Sequence, residues 1–204
     1  MLEIRLTTVA LTGNRPGTAG GFTMVELMVV LAVLGAVMVL AAPGYRALIL
    51  NNRMLSETYA LRATLSNARA EALARRAPVV VCPTANGTAC DTSRTNWATG
   101  YMTFVDTNND MLADATNADE EIIQYEAREG STTTTFDNLA NRVRFNPRGH
   151  ALNSEGTFTF CDPRGAESAR ALMLAPVGSL RSAVDTDSPE DGIVNDASDT
   201  NVSC

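Results

Sequence analysis

A chain of 204 residues with 45% hydrophobic content can bury a core of ordinary size and is not globally disordered. Its formal net charge is −7, and all 16 basic residues are arginine, since the chain contains no lysine. Ser182–Cys204 carries six acids and no base, whereas Tyr45–Arg76 carries six arginines against Glu57 and Glu71. The net charge therefore describes the tail more than the body and does not exclude a local basic surface.

Taken in chain order, the first element is "GGFTMVELMVVLAVLGAVMVLAAPG", residues 20–44. Leu27–Ala42 is 16 residues without a charge, and with Phe22–Val25 the apolar stretch approaches the ~20 residues that span a bilayer core. Two readings compete. A cleavable secretory signal would end in small residues, which "VLAAPG" at 39–44 supplies. Against it stands Glu26: a carboxylate in an apolar span costs about 2.5–3.5 kcal/mol on insertion scales, and a disposable signal gains nothing from it. A functional partner for the acid is the better default.

Helical patterning also continues past Pro43 and Gly44, which can kink a membrane helix without ending it. No glycine or proline occurs from Tyr45 to Ala77, and Leu50, Met54, Leu61, Leu65, Ala68 and Ala72 fall on one helical face. Arg62, Arg69 and Arg76 recur on a neighbouring face and read as its solvated polar side. A helix over Phe22–Arg76, 55 residues, would extend about 80 Å.

After Arg76 the period changes. "APVVVC" (77–82), "GYMTFVD" (100–106), "EEIIQYE" (120–126), "RVRFN" (142–146), "TFTFC" (157–161) and "ARALMLAP" (169–176) read as antiparallel strands. The segments between them are rich in Asn, Asp, Gly and Pro, as turns require. Six or seven strands, in one or two sheets packed on the amphipathic half-helix, are expected.

Cys82, Cys90, Cys161 and Cys204 form no C-x-x-C pair, and His150 is the chain's one histidine. Disulfides in an oxidising compartment therefore fit better than zinc. Of three pairings the preferred one joins Cys82 to Cys90 and Cys161 to Cys204, the second tying down the acidic tail. "DTNNDMLADATN" (106–117) places Asp106, Asn108, Asp110 and Asp114 at alternating spacing, but Met111 stands where a calcium loop needs glycine and Asn117 where it needs glutamate. It reads as a strand-connecting turn, and no metal or cofactor is expected. His150 reads as a surface residue and Trp97 as a core aromatic, and no serine or cysteine has a recognisable base, so an enzyme is not expected.

"GFTMVEL", with Gly21 before Phe22 and Glu26 five residues into the processed chain, resembles the class III signal of type IV pilins and type II secretion pseudopilins. "WATGYMTFVDTNND", "RVRFNPRG", "GTFTFCDPRG" and "ARALMLAPVGSLR", in that order, resemble the GspH/FimT group of minor pilins and pseudopilins. The resemblance implies cleavage between Gly21 and Phe22 by a prepilin peptidase, N-methylation of Phe22, and an assembly role for Glu26. It implies an α+β lollipop fold, in which a long amino-terminal helix, half membrane and half amphipathic, packs on an antiparallel β-rich head. The expected divisions are a leader (1–21), a transmembrane and assembly helix (22–43), an amphipathic half-helix (44–76), a β-rich head (77–181) and an acidic tail (182–204).

A low-abundance subunit that starts or caps a pilus is expected. It would sit in the bacterial inner membrane by a single pass with the head in the periplasm, and its partners would be other pilins. The corresponding pseudopilin of a type II secretion system is the alternative. Some FimT proteins are associated with DNA uptake through a Gly-Arg-x-Arg pattern. Here the matching stretch is "GSLR", Gly178–Arg181, which keeps Arg181 but has serine at the first arginine place, so DNA binding is disfavoured. Arg142, Arg144 and Arg148 are a second basic patch to place.

Overall fold

The computed structural model describes residues 21–91, 97–113, 120–128 and 132–204, with the backbone alone at Pro43. The chain divides into two compact units, with the boundary between Tyr45 and Arg46. Helix α1 runs Met24–Arg75, 52 residues. It starts where Thr23 can cap it and ends where Arg76 turns left-handed, at φ 54°.

In the first unit the apolar side chains from Phe22 to Leu40 are exposed, Phe22 at 82% and Leu40 at 80%. This segment is long and apolar enough to cross a membrane.

The second unit is α+β. Among the described residues it contains eight strands: β1 Val79–Pro83, β2 Gly100–Val105, β3 Ile122–Ala127, β4 Thr133–Phe136, β5 Val143–Phe145, β6 Gly156–Cys161, β7 Arg170–Leu174 and β8 Leu180–Ser182. They form two antiparallel four-stranded sheets, ordered β3-β2-β1-β5 and β4-β6-β7-β8.

The helical stripe read from the sequence faces both sheets. Met54, Leu61, Leu65, Ala68 and Ala72 are buried in one cluster with Val79 and Val81 of β1, Val143 and Phe145 of β5, Phe158 and Phe160 of β6, and Leu172 and Leu174 of β7. Leu50, at the head of the stripe, is half-buried. Each of the buried Met, Leu, Val and Phe side chains contributes about 1.5–3 kcal/mol by leaving water. Trp97 fills the centre: its ring lies 4.8 Å from that of Phe158, edge-on, and its Nε1–H donates to Asn141 Oδ1 at 2.7 Å. That bond satisfies the one polar atom the indole brings into the core.

Both sheets are also covered on the outside. The outward face of the first, Val80, Cys82, Met102 and Phe104, packs against Cys90, Met111 and Ala113 of the loops after β1 and β2. The outward face of the second, Cys161, Ala169 and Ala171, packs against Ala183, Ile193, Val194 and Val202 of the carboxy-terminal segment. A disulfide fastens each cover, Cys82–Cys90 and Cys161–Cys204. The acidic tail is thus an ordered segment. Its backbone returns on itself through Asn195 N–H to Val184 O at 3.1 Å and Val202 N–H to Val194 O at 3.0 Å.

Two strands escaped the sequence reading. β4 is a threonine run whose alternating burial is not mirrored in alternating polarity, and β8 is three residues long at a sheet edge.

Loop-closure entropy separates the two disulfides, whose cysteines lie 8 and 43 residues apart. On the chain-entropy relation the long loop gains about 4 kcal/mol and the short one about 2.5 kcal/mol. Urea unfolding of the full chain in detergent is therefore expected to show a larger loss for Cys161→Ser with Cys204→Ser than for Cys82→Ser with Cys90→Ser. The reverse order would show that strain or denatured-state structure, not loop length, governs them.

Candidate functional site

At the amino-terminal end, Thr23 precedes the first helical residue and its hydroxyl accepts a hydrogen bond from Glu26 N–H at 3.2 Å, while Leu27 N–H reaches Thr23 O at 3.1 Å. Thr-x-x-Glu at this place is the spacing of a capping box. Glu26 therefore sits in the first turn of α1, where a negative charge complements the helix dipole. The signal for this local arrangement is the Thr-x-x-Glu spacing of "TMVE". Gly21 and Phe22 precede the helix and are exposed. The leader residues 1–20 lie outside the described residues.

In the second unit two of the three arginines expected to be solvated, Arg62 and Arg69, are docking groups. Arg62 Nη2 donates to Leu180 O on β8 at 3.0 Å. Arg69 donates through Nε to Gly149 O at 2.9 Å and through Nη2 to Val177 O at 2.9 Å. A guanidinium suits this task, since its fixed fork can satisfy carbonyls from two turns at once. Arg62 and Arg69 are half-buried, whereas Arg76 is exposed. Sequence periodicity found the face but not its partners, which come from turns about 80 and 108 residues away.

The same contacts explain part of "GSLR". Gly178 has φ 78° in the β7–β8 turn, and its N–H donates to Ala175 O at 2.8 Å. A Cβ there would collide with Gly149 O and press on Arg69. Leu180 supplies the carbonyl that Arg62 holds. Arg181 is exposed, with Nη2 3.8 Å from Met173 Sδ, and borders an open groove shared with Asp137, Leu139 and Glu155. The two acids oppose phosphate at that place.

Nor do Arg142, Arg144 and Arg148 gather into one basic surface. Arg142 Nη1 donates to Met111 O at 2.9 Å, and Arg144 pairs with Asp106 and bonds Asn109, so both hold the loop after β2. Arg148 and His150 are exposed in the 146–150 turn, and Asn146 Oδ1 accepts from both backbone N–H groups.

The turn read at 106–117 brings Asp106 and Asp110 near each other, and Glu120, which that reading did not include, joins them. Asp114 and Asn117 lie outside the described residues.

A membrane-length apolar helical segment in one unit, and a helix packed on two antiparallel sheets in the other, make an α+β fold of the pilin-like class. The family model described as type II transport protein GspH matches residues 57–178, well over half of the chain, and the protein belongs to that family. No curated protein sequence matches it. Among solved structures, two crystal forms of the type IV minor pilin FimU of Pseudomonas aeruginosa strain PAO1 are similar. One, in space group P21, covers 67% of this chain and 92% of its own at 18% identity and TM-score 0.49. The other, in P65, covers 65% and 94% at 16% identity and TM-score 0.47.

Gly178 and Gly192 make a controlled comparison. Both have positive φ, but a Cβ at Gly192 meets open space. Alanine at either position incurs the positive-φ penalty of about 1–2 kcal/mol. At Gly178 the collision and the disturbed Arg69 bonds add about 1–3 kcal/mol more. Thermal unfolding should rank Gly178→Ala well below Gly192→Ala; equal losses would show that the helix–turn contact is dispensable.

Proposed function

We propose that this protein is a minor type IV pilin, a low-abundance structural subunit that helps start or cap pilus assembly. The observation that carries the reading is a GspH-family head in one chain with a membrane-length helix that bears a single acid in its first turn, behind Gly21 and Phe22. On this reading a prepilin peptidase cuts between Gly21 and Phe22 and the new Phe22 amine is methylated. The chain then waits in the inner membrane by a single pass, its head in the periplasm.

Glu26 lies four residues beyond Phe22, one helical turn or about 6 Å. In lipid its carboxylate is tolerable when paired, and the amino terminus of an adjoining subunit is the cation that assembly brings to it. That pair would set axial register, while Met28–Leu40 pack laterally against neighbouring helices by close contact rather than by a hydrophobic drive.

A minor pseudopilin of a type II secretion system is the second reading, favoured by the description of the family model itself. The two are separated by deleting the gene and measuring surface pili and protein export side by side. Loss of pili with normal export supports the pilus reading, and the converse supports secretion. DNA capture is disfavoured by Ser179 and by the acids beside Arg181. A gel shift of the full chain at low salt, abolished in Arg181→Ala, would restore it.

The capping-box spacing of Thr23 and Glu26 dictates which substitution tests the Glu26 charge. Glutamine at this position still serves a capping box but cannot pair with an ammonium. Glu26→Gln is expected to leave insertion, processing at Phe22 and helix content unchanged while abolishing incorporation into the filament. Normal incorporation of Glu26→Gln would overturn the charge pairing. Amino-terminal sequencing of the mature chain supplies the companion result: methylated Phe22 is expected, and a start near Ala42 would replace this reading with a conventional secreted protein.

A further inference from the structure

The loop after β2 begins with a buried acid whose bonding the fold leaves incomplete. Asp106 is fully buried at the end of β2, where its backbone N–H donates to Pro78 O at 2.9 Å. Neither of its carboxylate oxygens accepts a hydrogen bond. Its ion-pair partner is Arg144, whose Nε lies 3.3 Å from Oδ2. Burying a carboxylate with an oxygen left unbonded is costly, and such groups in folded proteins are ordinarily paired, hydrogen-bonded or bound to a metal.

The carboxylate does not point into an apolar space. One oxygen each from Asp106, Asp110 and Glu120 lies within 4.8 Å of the others. Asp110 is held in place by its own turn, Oδ1 accepting from Leu112 N–H at 2.7 Å and Oδ2 from Asn108 Nδ2 at 3.0 Å, and each oxygen keeps a second lone pair. Glu120 is brought alongside by the backbone, since Val105 N–H donates to Glu121 O at 3.0 Å where β3 begins beside β2. A divalent cation where the three carboxylates converge would give the buried Asp106 oxygen the partner it lacks.

We propose that Asp106, Asp110 and Glu120 form a calcium site. All the ligands are hard oxygens. Calcium binds oxygen at about 2.3–2.6 Å, so two of its ligands can stand nearly 5 Å apart. Magnesium, at about 2.0–2.1 Å and with strict octahedral demands, would require the cluster to contract. The site is assembled from two chain segments, so the missing glycine and glutamate of a contiguous loop do not bear on it. Its effect is mechanical: the cation would pin the loop whose Met111 and Ala113 cover Val80, Cys82, Met102 and Phe104.

A second acidic group, Asp185, Asp187 and Asp191, also converges. There the carboxylates accept from the backbone N–H groups of Asp187, Gly192 and Ile193 and from the Asn195 and Asn201 amides. It therefore serves as the control.

The test is calorimetric titration of the chelator-stripped full chain in detergent with calcium chloride, up to about 10 mM, roughly ten times the weakest affinity expected for an extracellular-type site. The expected result is one calcium per chain with half-saturation near 10⁻⁴–10⁻³ M, a raised melting temperature, and at least tenfold weaker binding of magnesium. Glu120→Gln, at a half-exposed position, should weaken calcium at least tenfold, and Asp106→Asn should do the same, the calcium-induced rise in melting temperature shrinking in both. Asp191→Asn should leave binding unchanged. No saturable uptake, unchanged affinity in Glu120→Gln, equal binding of magnesium, or loss of binding in Asp191→Asn would each overturn the proposal.

Discussion

The head depends on one helical face closing two sheets at once. Met54, Leu61 and Leu65 supply bulk, while Ala68 and Ala72 let the last turns of α1 approach closely. Each sheet needs that face, because the apolar inner side of its four strands, three to six residues each, would otherwise be open to water. The arginines at 62 and 69 then fix the helix in register against β8 and the 146–150 turn. Apolar contact supplies most of the stability and the guanidinium bonds select one position along the face, which non-directional packing cannot do.

Because the inner faces are spent on the helix, the outer faces require covers, and both covers are poor in regular structure. The chain compensates with one disulfide per cover. The short Cys82–Cys90 loop lies over the first sheet, and the Cys161–Cys204 link returns the carboxy terminus to β6. An acidic segment can serve as a cover because its apolar residues, Ile193, Val194 and Val202, face the sheet, while its aspartates are used up on turn N–H groups.

Local features were legible in the sequence to the degree that they are periodic. The helical stripe was readable since five of its six members are buried on one face, and the apolar strands β1, β2, β6 and β7 were readable since they are buried on nearly every residue. β4 was hidden because threonine fills both its faces. The docking of Arg62 and Arg69 was hidden because their acceptors are backbone carbonyls, which carry no sequence signature. Glu120 escaped for a related reason: scanning 106–117 for a contiguous ligand pattern cannot find an acid that the β2–β3 pairing delivers from beyond the loop.

Under the proposed assembly role, a local and a long-range demand converge on Glu26. As the third residue of a Thr-capped first turn it is favoured by the positive end of the helix dipole, by about 0.3–1 kcal/mol. That gain exists in the isolated chain and would offset part of the ~2.5–3.5 kcal/mol that a carboxylate costs in an apolar span. On that proposal a partner ammonium would have to supply only the remainder. An acid several turns deeper would lack the dipole, and would have to be paired from the moment it entered a bilayer.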